Sequence, residues 1–278
     1  MQKKDTKWQC RWSPTLGALE DTHQKIWGTK DYENTTTPTV FFGLYGLPDF
    51  MAFRQHKGEK HILWAGTDIL HLKNGYWVDE IGEQRVDPKP FCEYLNKFTN
   101  WCENDVEAKA LMKLGINAKI QPSYLGDINE MKVSFKPGNK VYSSVSGDNF
   151  EQYGWDKITN LAEANPQIEF HLYGNTATPK GWEFRKTLNM TFHGRVPKEQ
   201  MNAEIAEMQG GLRMTEFDGC SEILVKSWLM GQYPISLIDY PFTLDPKRIS
   251  SILNKKQPNW EAVKYWRQNL NKYPWNIK

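Results

Sequence analysis

Apolar and polar positions along the chain fall into blocks whose period changes. Continuous apolar runs of strand length occupy Thr39–Leu44 and His61–Gly66. Short runs rich in β-branched and aromatic residues, bounded by glycine, predict buried strands. Asp49 to His56 lies between them with helical character. Strand, helix and strand joined by short connections predict a parallel sheet with a right-handed crossover. The alternation continues with a helix over Pro88–Lys97, a short strand at Phe98–Cys102 and a helix over Glu103–Leu114. In that last helix Val106, Ala110, Leu111 and Leu114 share one face, and Gly115 is its expected cap. Residues 1–37 are polar, dotted with tryptophan and without a clear period, so they read as a flexible lead or a lid.

Lys136-Pro137-Gly138-Asn139 carries strong turn chemistry. A second alternating block follows. Strands are expected at Lys140–Val145, Ile168–Tyr173, Met190–Val196, Leu212–Thr215 and Ile235–Ile238. Helices are expected over about 154–164, over Pro197–Met208 with proline at an early position, over Asp245–Leu253 and over Pro258–Leu270. Strand–helix alternation with short connections predicts a doubly wound α/β domain.

The stretch from Arg213 to Ser236 carries the most chemistry. Asp218-Gly219 is turn chemistry, Ser221 is a good N-cap, and Glu222 in the first turn suits the helix dipole. Backbone N–H groups of Gly219, Cys220 and Ser221, at the carboxyl end of a strand, would cradle a phosphate. An ordinary α/β crossover with no ligand has the same local sequence.

Composition narrows the function classes. The chain has 278 residues, 39% of them apolar, enough for one large domain or two small ones. Its 12 Trp, 12 Tyr and 13 Phe suit core packing, and also stacking on sugars or bases. The 35 basic and 33 acidic residues nearly cancel, so charge alone does not mark a polyanion binder. Bases outnumber acids from Lys247 to Lys278. That tail suits a solvated helix face, phosphate, nucleic acid or an anionic membrane. Cys10, Cys92, Cys102 and Cys220 form no zinc-like spacing and fit a reducing, cytoplasmic setting. No signal peptide and no window of roughly 18–20 apolar residues stands out. The location expected is therefore cytoplasmic, or peripheral at the membrane.

The Asp218 stretch resembles the donor-binding segment of GT-B glycosyltransferases, chiefly the retaining family-4-like enzymes and their family-1-like relatives. Their pattern is acidic-x7-Glu, then a small-residue helix end, Gly and a strand. Here Asp218 and Lys226 occupy the two acidic positions. The resemblance implies that Asp218 contacts the transferred sugar. Lys226 departs from the usual ribose-binding Glu, because an ammonium donates but cannot accept hydroxyl hydrogen bonds. Trp64-Ala65-Gly66-Thr67-Asp68 resembles a Trp-x-Gly-(Ser/Thr)-Asp step in the family's first domain, where Asp68 would serve as base in an inverting enzyme, or bind acceptor or shape its loop in a retaining one. Turn formation and capping are the ordinary role of such an Asp. Gly46, in the tight loop after the first strand, joins the donor-binding candidates.

Residues 104–116 resemble the last helix of the family's first domain, which implies that Pro122 to Gly138 is the linker and the entry to the second domain. Tyr173-Gly174 stands where the family has an apolar-Gly step. His193-Gly194-Arg195-Val196 stands where it often has Phe-x-Gly-x-Val beside the nucleobase. The family's Gly-Arg…Lys-Gly diphosphate grip is replaced by Ser143-Ser144-Val145-Ser146-Gly147-Asp148-Asn149. Ser144 and Thr215 would then bind donor, with Arg195 or Lys226 supplying the cation.

The resemblance implies two Rossmann-like domains facing across a cleft: residues 1–128, joined by a returning helix over 258–278, and residues 138–257. It further implies metal-independent transfer from a nucleotide-diphosphate sugar such as a UDP-sugar, with no cofactor. The acceptor would be a glycan or lipid-linked saccharide, or a hydroxymethylated base in DNA as in phage DNA glucosyltransferases of this fold. Loss of the usual ribose and diphosphate residues leaves a non-catalytic sugar- or nucleotide-binding module as the alternative from another class.

Overall fold

The computed structural model describes residues 8–19, 22–76, 86–145, 151–174 and 186–276. The chain divides into two compact units. The first comprises Met1–Asp127, Phe217–Cys220 and Asn269–Lys278, and the second Ile128–Glu216 and Ser221–Gln268.

In the first unit the chain runs β1 (Gln9–Trp12), α1 (Thr22–Trp27), β2 (Lys30–Asp31), β3 (Thr39–Phe42), α2 (Leu47–Gln55), β4 (Lys60–Leu63), α3 (Asp68–Lys73), α4 (Lys89–Leu95), β5 (Thr99–Cys102), α5 (Asp105–Lys113) and β6 (Ala118–Ile120). A 3-10 turn, Pro14–Leu19, follows β1. The strands form one parallel sheet in the order β2-β1-β3-β4-β5-β6. Residues 1–37 are thus no lead or lid where they are described. β1 pairs with β3 along its whole length, Gln9 opposite Thr39 to Trp12 opposite Phe42.

That strand escaped the period count because its polar residues are satisfied inside the fold. Gln9 is 2% exposed, and its side-chain carbonyl accepts from the Glu33 and Asn34 amides. Trp8, Trp12 and Trp27 close a core on one sheet face with Val40, Phe42, Leu63, Tyr273 and Trp275. On the other face Phe41, Ile62, Trp64, Leu72 and Leu111 pack with Phe50 and Phe53. Burial of rings of this size supplies the main drive for the unit.

The second unit runs β7 (Lys140–Ser144), α6 (Trp155–Ala164), β8 (Glu169–Tyr173), β9 (Met190–Gly194), α7 (Lys198–Ile205), β10 (Gly210–Arg213), α8 (Glu222–Leu229), β11 (Ile235–Ser236) and α9 (Trp260–Asn269). Its strands are all parallel, in the order β11-β10-β7-β8-β9. The direction of winding reverses between β7 and β10, which is where ligands settle in open α/β sheets. In the first unit the reversal falls between β1 and β3.

Two expected elements differ. Residues 245–253 form a 3-10 segment, Pro246–Asn254, rather than an α-helix, with a kink at Arg248. The expected returning helix is shared out: Trp266 stacks on Trp228 at 3.9 Å within the second unit, whereas Asn269–Lys278 belongs to the first. There Tyr273 and Trp275 join the tryptophan core.

Candidate functional site

The candidates gather at the carboxyl ends of the strands, in two groups, one in each unit.

In the first unit, Asp68 opens α3. It is fully buried, and its two oxygens accept the Leu44 amide and the Ala65 amide, each at 3.0 Å. Asp68 therefore ties the loop after β3 to the loop after β4. Burial pushes its carboxyl up to about 7 despite those donors. Gly46 is the extended residue just before α2, and the amide of neighbouring Tyr45 donates to Asp49.

Phe217–Cys220 belongs to this unit as well. Phe217 packs against the Phe41 core, and the Asp218 carbonyl accepts from Asn104 Nδ2 at 2.7 Å. The Gly219 amide donates to the Asp218 carboxylate at 3.0 Å, and the Cys220 amide donates to Glu103 Oε2 at 2.6 Å. This corrects the expectation of free amides at Gly219 and Cys220. Carboxylates of the protein itself receive both. Ser221 begins α8 without a side-chain cap bond.

Glu103 and Glu107 are the residues the sequence reading missed. Glu103 is 5% exposed; its carboxylate also accepts the Ser123 amide and hydroxyl. Glu107 is fully buried; its Oε2 accepts the Glu103 amide at 2.6 Å. Asp68, Glu103, Glu107 and Asp218 thus form one acidic cluster. Burial pushes Glu103 up to about 7, and burial together with the Glu103 charge pushes Glu107 well above the usual carboxylate range. The available signal for Glu103 was a polar Glu-Asn-Asp triplet directly after a strand.

In the second unit, Ser144 ends β7 and Thr215 follows β10, on either side of the winding reversal. Thr215 is 4% exposed, and its hydroxyl has no hydrogen-bond partner among the described residues. Ser146–Asn149, the rest of the stretch replacing the family's diphosphate grip, lie outside the described residues.

Tyr173 ends β8 and His193 is the last but one residue of β9, their rings stacked at 4.4 Å. The Tyr173 hydroxyl donates to Glu204 Oε2 at 2.7 Å, and His193 Nδ1 lies 3.4 Å from the same oxygen. His193 Nε2 lies 2.8 Å from His171 Nδ1, so both its ring nitrogens face protein groups. Gly174 and Gly194 have φ of 104° and 72°, in the left-handed region that suits glycine, and the Gly174 amide donates to the Gly194 carbonyl. Arg195, next along, is exposed. Lys226 is 3% exposed within α8, with its ammonium 3.0 Å from Glu222 Oε1.

No family model and no curated protein matches this sequence. Solved structures do match it. Staphylococcus aureus TarM, in complex with fondaparinux, alpha-GlcNAc-glycerol and UDP, aligns at a TM-score of 0.54 and 11% identity, over 90% of this chain and 53% of that one. The E. coli trehalose-6-phosphate structure bound with UDP-2-fluoro glucose aligns at 0.55 and 10%, over 85% and 71%. Sucrose-phosphate synthase from Thermosynechococcus elongatus aligns at 0.51 and 10%, over 92% and 70%. The protein has a GT-B glycosyltransferase fold, an α/β architecture with parallel sheets. It spans about half the length of TarM, 53% of that chain. Among the described residues no helix is long and apolar enough to cross a membrane.

Proposed function

We propose that the protein is a glycosyltransferase that moves a sugar from a nucleotide-diphosphate sugar to an acceptor hydroxyl. On the GT-B fold, one observation carries the reading beyond architecture: the buried, unpartnered hydroxyl of Thr215 beside the β7/β10 winding reversal. A buried hydroxyl without a partner costs roughly 1–3 kcal/mol, and a donor bound at the reversal would remove that cost.

Ser144 and Thr215 then bind the donor through neutral hydroxyls, and exposed Arg195 supplies the cation that balances the leaving diphosphate. Asp218 orients the transferred sugar. Asp68, with both oxygens engaged, shapes the loops that carry Tyr45 and Ala65 rather than acting as a base. Lys226 is already paired with Glu222, so its part is to hold the exposed end of that carboxylate, not to grip a ribose. A UDP-sugar is the first donor to test, because the TarM and E. coli structures hold UDP or a UDP-sugar analogue. A glycan or lipid-linked saccharide is the acceptor class assigned.

A second reading, a non-catalytic sugar- or nucleotide-binding module, has one observation in its favour. The Gly219 and Cys220 amides that would meet a phosphate already serve Asp218 and Glu103.

Thermal shift against UDP-, GDP-, ADP-, CMP- and TDP-sugars separates the outcomes, since a true donor stabilises the fold by mass action. One donor should raise Tm, and Thr215→Val should remove that rise. Donor turnover, to hydrolysis or transfer, should fall at least 100-fold in Asp218→Asn. Binding without turnover supports the module, and no shift with any sugar nucleotide overturns both readings. Glucosylation of duplex DNA containing hydroxymethylated bases would reassign the acceptor.

A further inference from the structure

Asp218 is the residue on which the proposed transfer turns, yet the structure gives it little support from its own strand. β10 ends at Arg213, and Asp218 follows after a further stretch of turn. The support comes from two adjacent residues more than a hundred positions earlier. Asn104 Nδ2 donates to the Asp218 carbonyl at 2.7 Å, and Glu103 Oε2 accepts the Cys220 amide at 2.6 Å. Donor and acceptor on neighbouring residues thus grip the turn on both sides of Gly219.

Both residues of the grip are themselves fixed. Asn104 is the N-cap of α5, its Oδ1 accepting the Val106 and Glu107 amides at 3.0 Å. Its amide group is therefore oriented before it meets Asp218. Glu103 Oε1 accepts the Ser123 amide and hydroxyl, and the Glu103 amide donates to Glu107 Oε2. Gly219 lies between. A Cβ there would run into the Glu103 carboxylate and approach Glu107 Oε1 to 3.7 Å, and a Cβ on Gly66 would meet the Gly219 amide at 3.0 Å. The turn has no lateral room, and the two bonds act together with that from the Gly219 amide to the Asp218 carboxylate.

Resting on the glycosyltransferase reading, we propose that Glu103 and Asn104 are positioning residues: a clasp that sets the Asp218 carboxylate for the transferred sugar. Neither needs to touch the donor. Their contribution is to remove the freedom of a loop whose acid must lie within a fraction of an ångström of its target.

Asn104→Ser tests the clasp without disturbing the helix. Serine is as good an N-cap as asparagine, so α5 keeps its start while the donor to Asp218 is lost. Glu103→Ala is the second variant. It removes the carboxylate altogether, so the Cys220 amide loses its acceptor. Hydrogen exchange of the ligand-free protein, read on the peptide covering Phe217–Ser221, should speed up at least tenfold in both variants while the α5 peptide of Asn104→Ser stays protected. Donor turnover should then fall 10- to 100-fold in kcat, with the donor KM within about threefold of wild type. Asn104→Gln, which retains an amide donor, should restore part of the kcat.

Unchanged exchange at Phe217–Ser221 overturns the clasp. Faster exchange with wild-type kcat, or a loss confined to KM, overturns the positioning role. A wild-type protein that turns over no sugar nucleotide overturns the glycosyltransferase reading and the positioning role with it, while exchange still decides whether the clasp holds the turn.

Discussion

His171 Nδ1 and His193 Nε2 lie 2.8 Å apart, and a carboxylate stands beyond each ring. Glu169 Oε2 is 3.6 Å from His171 Nε2, and Glu204 Oε2 is 3.4 Å from His193 Nδ1. The two rings share one close nitrogen–nitrogen contact, and charging both would set two N–H groups against each other across it. At 3.6 Å the Glu169 carboxylate makes no hydrogen bond to His171 Nε2, which has no hydrogen-bond partner among the described residues. Burial, then the charge of His193 and of Lys140, holds His171 below the usual histidine range.

A folded state that resists protonating His171 loses stability as pH falls through the ordinary histidine value of about 6.5. The sign follows because the unfolded chain binds the extra proton more readily. Chemical denaturation between pH 7.5 and 5 should show stability dropping by at most about 1.4 kcal/mol per pH unit from this group. His171→Gln should flatten that slope. Ring-nitrogen NMR should show His171 taking up its second proton below the ordinary histidine value, and uptake at or above that value would refute the arrangement.

The acidic cluster has the opposite slope. Asp68 and Glu103 are pushed up to about 7 by burial, and Glu107 well above the usual carboxylate range. Their ordinary values lie near 4. Between about pH 4 and 7 the folded state holds protons that the unfolded chain releases, so rising pH weakens the fold. Each such group contributes up to about 1.4 kcal/mol per pH unit. Glu107→Gln removes one buried charge and should raise Tm at pH 8 relative to wild type, with a smaller gain at pH 5. Equal effects at both pH values would contradict raised acids in the cluster.

Gly219→Ala should be among the most damaging small substitutions. The added methyl meets the Glu103 carboxylate, so the Cys220 amide loses its acceptor. A buried amide without a partner costs roughly 1–3 kcal/mol. Urea unfolding should report a loss of that order, and donor turnover should fall further than the folded fraction does.

Trp275 is fully buried, stacked on Tyr273 at 4.5 Å and set edge-on to Trp101 and Trp27. Trp275→Ala should cost about 3–5 kcal/mol, read as a lower urea midpoint at unchanged slope. A loss below about 1 kcal/mol would show that the C-terminal residues contribute little to the first unit's core.

The apolar runs alone determined the alternation of strands and helices. Val40–Phe42, Ile62–Leu63 and Val141–Tyr142 are buried side by side in parallel sheets, and such strands need the continuous apolar character that makes them legible. That Asp218, Thr215 and His193 lie at a turn and near strand ends was legible too, because such residues keep their place in the chain. Tertiary structure decided what those residues touch. Gln9 and Arg11 belong to a buried strand only because Glu33, Asn34 and Asp49 satisfy their polar ends. The Cys220 amide meets a carboxylate 117 residues away, a pairing no local period encodes. Local pattern reports which face a residue will turn to the core. Which charged partner waits there depends on distant segments brought together by burial, and that decides what holds the Asp218 turn.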